Sequence, residues 1–311
     1  MIIEPTALPT SDRAISPLVV AQFLGVTLIW GSTWIIIHSQ LAAVPAAWSV
    51  TYRFLIAGVV LLLASLVSTT SRYQLRTMKR ADHGFVLLVA LLQFSFNFNL
   101  VYRAQQHLTS GLMALLFALL IIPNAAFGAI FLGQRVTRRF VLGSAIAIGG
   151  LVLVFGPDLV GGTGDRAVLL TGLGLGLGSI LCASIANVLQ ATQRGRALPL
   201  APMLALAMIY GSVFNGLYAW MTAGPPQIEP SAGYIGGLFY LAIVASVMAF
   251  SLYYRLLRSI GPAAAAYTSV LVPILAMGLS TLFEGYIWTA SAAAGVALVL
   301  AGMVIALRGR A

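Results

Sequence analysis

Side chains with hydrogen-bonding chemistry are scarce in this chain of 311 residues, and the informative ones lie inside stretches that are otherwise apolar. The densest string is Gln93-Phe-Ser-Phe-Asn-Phe-Asn99, which interleaves amides with aromatics. On a helix Gln93 and Asn97 share one face, while Asn99, Tyr102 and Gln106 share another, so the two sets cannot line a single channel. One set faces a ligand, and the other bonds neighbouring helices. Thr27, Trp30 and Trp34 form a second stripe within Ile29-Trp-Gly-Ser-Thr-Trp34, either lining a cavity or anchoring at an interface. Asn187 and Gln190 form a third, with Ser184 one turn earlier. Asn124 follows Pro123 directly and either satisfies the carbonyl that the proline frees or offers its amide to a ligand. Arg53 is the one cation well inside an apolar stretch; it either attracts a carboxylate or snorkels toward helix-end carbonyls. An aromatic and amide lining of this kind suits an amphiphilic small molecule and suits a bare dication poorly.

Several chemistries are excluded. No Asp or Glu falls in the interior of an apolar stretch, so neither a catalytic carboxylate pair nor a buried proton relay has a residue to use. There is no Gly-x-Ser-x-Gly and no His-Glu-x-x-His motif, so no enzymatic activity is expected. His38, His83 and His107 lack ligand spacing and Cys182 is the only cysteine, so no metal, cofactor or intrachain disulfide is expected.

The elements that must carry these groups follow from composition. Apolar residues make up 60% of the chain, charged residues 8%, and the mean hydropathy is +0.99. A soluble domain needs roughly 25% charged residues, so the solvent for most of this chain is a lipid bilayer. A hydrocarbon core about 30 Å thick is crossed by about 20 helical residues. Ten stretches approach that length: Leu18 to Ile37, Ala46 to Val67, Gly84 to Tyr102, Leu108 to Leu132, Phe140 to Phe155, Val168 to Gln190, Ala201 to Ala223, Gly233 to Leu257, Pro262 to Phe283 and Thr289 to Leu307. The first is too long and too polar within for a signal peptide and is read as a permanent helix.

The arginines orient the bundle. All of the 17 basic residues except Arg53, Arg103 and Arg166 fall at the termini or in every second connection: Arg13; Arg72, Arg76, Lys79 and Arg80; Arg135, Arg138 and Arg139; Arg194 and Arg196; Arg255 and Arg258; Arg308 and Arg310. By the positive-inside rule these mark the cytoplasm, with both termini there. The formal charge of +10 is scattered singly over helix ends and forms no patch for nucleic acid. Tyr253, Tyr254 and Tyr267 flank the last cytoplasmic connection as an interfacial belt.

A repeat underlies the ten stretches. Gly133, Gly143 and Gly150 recur with the same spacings as Gly285, Gly295 and Gly302, and the same shift carries Thr137 onto Thr289. A proline, Pro123 or Pro273, lies in the preceding span of each half, as a flexing point or as a simple determinant of shape. Five spans per half is odd, so the second copy enters the membrane from the opposite side, as in many secondary transporters. Gly172 with Gly176, and Gly174 with Gly178, make ridges for close helix packing; without a Lys-Ser/Thr ending they are no phosphate loop.

Taken in order, Ile29-Trp-Gly-Ser-Thr-Trp34, Tyr52-Arg-Phe54, Phe131-Leu-Gly-Gln-Arg-Val-Thr137 with Gly143 and Gly150, and the closing repeat to Gly302 resemble the drug/metabolite transporter superfamily in its ten-helix form with two EamA-type repeats. The repeats would span residues 18–157 and 165–308. Within the superfamily the chain is most similar to YddG-like aromatic amino-acid exporters of bacterial inner membranes. The family's usual Gly-Glu after the fourth span is Gly133-Gln134 here, and the second half reads Glu284-Gly285 instead. The resemblance implies an all-α integral membrane protein with two inverted five-helix repeats around a central cavity. It would export small metabolites by alternating access. The inverted halves and the aromatic and amide lining point to aromatic or other neutral amino acids first, the lack of an intramembrane carboxylate to uniport or exchange without obligatory proton coupling, and no obligatory protein partner is evident. Export of cationic drugs is the alternative within the class; a non-transporting receptor or scaffold would need a signalling surface that the short connections do not offer.

Overall fold

A computed structural model describes residues 17–160, 166–253, 256 and 268–308. Arg13, Asp165, Tyr254, Arg255, Arg258, Tyr267, Arg310 and the first residues of the ninth predicted span lie outside them. The described residues form helices and no strands: α1 Pro17–Gln40, α2 Ala46–Val67, α3 Thr69–Arg76, α4 Arg80–Ala104, α5 Ser110–Leu132, α6 Arg138–Val160, α7 Arg166–Ala191, α8 Gln193–Ala197, α9 Leu200–Ala223, α10 Ala232–Tyr253, α11 Thr268–Phe283 and α12 Ala290–Arg308. Among them, nine are long and apolar enough to cross a membrane; α11, at 16 residues, is a shorter apolar helix. Leu18, Leu28, Val67, Ile130 and Met221 point outward, a girdle that would drive aggregation in water but matches hydrocarbon.

The third span starts earlier than hydropathy predicts, because Asp82 accepts a hydrogen bond from the backbone N–H of Lys79 at 2.8 Å and so closes the first turn of α4. At the same end Arg194 reaches Asp82 at 3.5 Å.

The repeat is visible in local structure. Thr137 and Thr289 cap equivalent helix starts, accepting from the backbone N–H of Phe140 (3.2 Å) and Ala292 (3.1 Å). Gly133 and Gly285 end α5 and α11 with φ of 65° and 68°, a left-handed conformation in which a Cβ is strained. The third helix of each half contains a π-helical segment at the same place, Ala90–Phe96 in α4 and Tyr240–Met248 in α10.

Equivalent helices also meet across the molecule: α2 on α9, α5 on α11 and, most extensively, α6 on α12. A Cβ on Gly150 would stand 2.6 Å from the carbonyl oxygen of Gly295, and one on Gly302 would stand 2.5 Å from that of Gly143. The reverse contacts mirror these, Gly295 on Gly150 and Gly143 on Gly302. Low residue numbers of one helix face high numbers of the other, so α6 and α12 run antiparallel. Their contact is self-complementary, each pair becoming the other when the halves exchange.

The prolines behave differently. Pro123 has no N–H to offer the carbonyl of Leu119, and α5 is interrupted there, with helical segments Ser110–Ala118 and Ile121–Leu132. Pro273 is buried inside the unbroken α11.

Candidate functional site

The aromatic side chains of α1, α2, α4 and α10 form a continuous run through the interior. Trp30 packs on Phe250 (ring centroids 5.7 Å apart) and on Tyr253 (5.0 Å). Phe250 meets Phe94 at 6.5 Å, Phe94 meets Phe54 at 5.1 Å, and Phe54 meets Phe98 at 4.6 Å. Most are edge-on, as the ring quadrupole favours. Tyr253 therefore faces inward onto Trp30 and belongs to this run, not to an interfacial belt. Trp34 turns toward α5 and packs on Phe117 at 5.4 Å, while its carbonyl accepts from Gln105 Nε2 at 3.1 Å.

The amide-rich string of α4 coincides with its π segment. A π segment loosens the regular backbone ladder and leaves carbonyls to be satisfied by other donors. Here those donors are amides: Asn97 Nδ2 donates to the Gln93 carbonyl (3.3 Å), Asn99 Nδ2 to the Ser95 carbonyl (2.9 Å), and Asn215 Nδ2 of α9 to the Phe94 carbonyl (2.9 Å). Asn99 also donates to Asn215 Oδ1 at 2.8 Å, so its face is joined to α9. Gln93 Oε1 and Asn97 Oδ1 are buried without a hydrogen-bond partner. In the sequence Asn215 is a lone amide in mid-span, the same kind of signal as the amides of α4 but without neighbours to reinforce it. We expect a double-mutant cycle of Asn99→Ala and Asn215→Ala, read by unfolding of the detergent-solubilised protein, to return a coupling of about 0.6–1.7 kcal/mol. A coupling of zero would mean that the two helices are held together without this bond.

Two other predicted residues come together: Asn187 Nδ2 of α7 lies 3.4 Å from Asn124 Oδ1 of α5, joining the halves next to the α5 break. Asn124 thus meets another side chain, not the carbonyl freed by Pro123. Gln190 Nε2 donates to its own helix, to the Ala186 carbonyl at 3.4 Å. These amides stand apart from the aromatic run.

Arg53 is 2% exposed and does not snorkel, since α4, α9 and α10 cover this part of α2. Its Nε donates to Ser246 Oγ in the π segment of α10 at 3.2 Å, and its guanidinium lies over the rings of Phe98 (4.7 Å) and Phe54 (5.3 Å). Such cation–π contacts contribute about 0.5–2 kcal/mol. Ser246 and Phe250 also line a cavity of about 40 Å³ with Leu61, Leu204 and Met208. Ser246 and Phe250 have no signal in the sequence, being a small hydroxyl and an apolar ring in an apolar run, whereas Phe98 lies in the amide and aromatic string of α4 and Phe54 in Tyr52-Arg-Phe54.

A second, larger cavity of about 440 Å³ opens where the ends of α1, α5 and α11 meet, lined by Ile35, His38, Ser39, Thr109, Phe283 and Glu284. The Glu284 carboxylate accepts from the backbone N–H of Ser110 (3.0 and 3.3 Å) and from Ser280 Oγ (2.5 Å), and His38 Nδ1 is 3.5 Å away. Nothing in the sequence marks this junction, where Glu284 reads as an ordinary helix-end acid.

The EamA-like transporter family is matched over residues 18–156 and again over 170–308, that is, by both halves. The chain belongs to this family. Among relatives of this EamA-like transporter, the uncharacterized inner membrane transporter YedA of Escherichia coli (strain K12) is 26% identical over 88% of the chain and 85% of its own length. A probable amino-acid metabolite efflux pump of Salmonella typhimurium is 24% identical over 90% of the chain and 91% of its own length. One crystal structure, 19% identical, superposes with a TM-score of 0.68 over 94% of this chain and 97% of that one, a likeness of fold.

Proposed function

We propose that this EamA-like transporter is a secondary exporter of aromatic or other neutral amino acids, similar to the aromatic amino-acid exporters of the superfamily. The observation that carries the reading is the aromatic run from Trp30 through Phe250, Phe94 and Phe54 to Phe98, ending on the Arg53 guanidinium. It offers stacking surface to an apolar side chain and polar atoms to the backbone end of an amino acid. A buried cation at the end of that run disfavours cationic drugs as the main cargo. The relative from Salmonella, a probable amino-acid metabolite efflux pump, supports the same direction.

Alternating access in this reading uses ten spanning helices in two inverted halves, residues 18–157 and 165–308, with the solute between them and Trp30, Trp34, Gln93, Asn97, Asn99, Asn124, Asn187, Gln190 and Arg53 as candidate contacts. The antiparallel α6–α12 pairing supports inversion, and the arginine alternation supports cytoplasmic termini. Pro123, at the break in α5, and Pro273, in α11, would flex as the halves rock.

Reconstituted protein should take up labelled phenylalanine or tryptophan into liposomes, and Trp30→Ala should slow that uptake about tenfold or more by removing the stacking partner of Phe250. Uptake no faster than in protein-free vesicles across a panel of amino acids, or competition only by cationic drugs, would refute the reading. Exchange or uniport predicts accumulation that does not require an imposed pH gradient; strict dependence on one would reject that part.

A further inference from the structure

We propose that Arg53 and Tyr102 form the anchor for a carboxylate on the transported solute; this rests on the export reading above and names the group that the site recognises. Burying a guanidinium is costly unless its hydrogen bonds are met by an acceptor, normally a carboxylate. Arg53 has one such bond, to the neutral Ser246 hydroxyl, and its Nη1 is buried with no partner. The Tyr102 hydroxyl, on a side chain with no solvent exposure, has no carboxylate or carbonyl partner and lies against Arg53, within reach of its charge and of a guanidinium N–H.

Among the acidic side chains that the structure describes, none pairs with Arg53. Asp82 is engaged by Lys79 and Arg194, Glu284 by Ser110 and Ser280, and Glu229 lies in the connection between α9 and α10. A guanidinium and a phenol are therefore held together in the interior with only neutral hydroxyl oxygens to accept from them and no negative charge to balance the cation. A carboxylate matches this arrangement, since it is planar, carries two acceptor oxygens and takes the fork of a guanidinium side by side while an O–H donates to a remaining lone pair.

The surroundings fit the rest of an amino acid. Phe54 and Phe98 flank the guanidinium, and Phe94, Phe250 and Trp30 continue from them, so a solute held by its carboxylate has aromatic surface for its side chain. The cavity beside Ser246 and Phe250, at about 40 Å³, is too small for an amino acid, so the solute reaches the anchor only as α2, α9 and α10 part. Both π segments adjoin the anchor: Ser246 belongs to that of α10, while Phe98 and Tyr102 follow that of α4. Helices with loosened ladders at this point are suited to such a rearrangement.

The experiment compares phenylalanine with phenylalaninamide, which lacks the carboxylate, as competitors of labelled phenylalanine uptake into proteoliposomes. In the wild type the acid should compete about tenfold better or more, the scale of a charge-assisted hydrogen bond. In Arg53→Gln that preference should fall to within about twofold, and in Tyr102→Phe it should fall partway. Arg53→Lys keeps the charge but loses the fork, and should also lose most of the preference. A folded Arg53→Gln protein, judged by an unchanged melting temperature, that retains the full preference would overturn the anchor. Should Arg53→Gln fail to fold, Arg53→Lys and Tyr102→Phe decide: both keeping the wild-type preference overturns it. Failure of the wild type to take up any amino acid would sink the export reading instead. The anchor is then tested by direct binding of 3-phenylpropionate against its amide, read by tryptophan fluorescence. Equal binding of the two by the wild type overturns it; a preference for the acid that Arg53→Gln abolishes upholds it.

Discussion

Leucine at Gly143 or Gly295 should destabilise the folded bundle by at least about 3 kcal/mol, the upper end of overpacking costs, because the new side chain meets backbone and not a mobile side-chain tip. A Cβ at Gly143 lands on the backbone of Gly302 and Ala306, and one at Gly295 lands 2.6 Å from the carbonyl oxygen of Gly150 and 3.0 Å from the N of Val154. Neither can relax without driving α6 and α12 apart along their whole contact. Close approach of this kind is the main attraction between helices in lipid, where apolar burial brings no gain over the acyl chains. The same substitution at Gly149, next to Gly150 but exposed and with nothing within 4 Å, should leave stability unchanged or slightly improved. Melting temperature and yield of monodisperse protein in detergent read the difference. If Gly143→Leu and Gly149→Leu melt together, the glycine contact does not hold the halves.

The next largest effect is expected from Glu284→Ala, at about 2–3 kcal/mol, the range for hydrogen bonds to a charged group. The carboxylate ties the end of α11 to the first turn of α5, where its charge also complements the helix dipole. Its side chain is only 7% exposed, so solvent cannot replace these bonds. Glu284→Gln keeps an acceptor for the Ser110 N–H and should lose roughly half as much. Loosening this junction should also open the cavity around His38 and Ser39. In a Cys182→Ser background, a cysteine placed at Ile35, half-buried in the wall of that cavity, should react faster with a membrane-impermeant maleimide when Glu284 is alanine. Unchanged labelling together with an unchanged melting temperature would show that the carboxylate is not a latch.

Much of the architecture is legible from residue types because the constraints are coarse and physical. Apolar length marks a span, and glycines repeated at matched spacings mark a place where backbones touch, as Gly143, Gly150, Gly295 and Gly302 do. The site was less legible. Helical periodicity placed Gln93 and Asn97 on one face of α4 and Asn99 on another, yet could not tell which face met α9, because the deciding partner, Asn215, is far away in the chain. Nor does a regular period foresee a π segment, which changes the register and gives the amides backbone carbonyls to satisfy. Arg53 is conspicuous in the sequence as a lone cation, and Phe98 and Tyr102 belong to the amide and aromatic part of α4, but nothing in the sequence pairs them with Arg53, and Ser246 of α10 is a single small hydroxyl in an apolar run. Glu284 misled for the opposite reason: at the end of a helix it looks ordinary until the start of α5 is brought against it.

The self-complementary seam between α6 and α12 bears on stoichiometry. A dimer of identical halves would repeat every chemical group twice, once on each side of its axis. Here the shift that carries Gly143 onto Gly295 carries Trp30 onto Cys182, Arg53 onto Ala205, Phe94 onto Ser246 and Asn97 onto Ala249. The two halves thus match in the residues that hold them together and differ in those that could hold a guest. A frame whose halves match in form and differ in chemistry has a head and a tail, and the export reading then expects a single solute per chain in a single orientation.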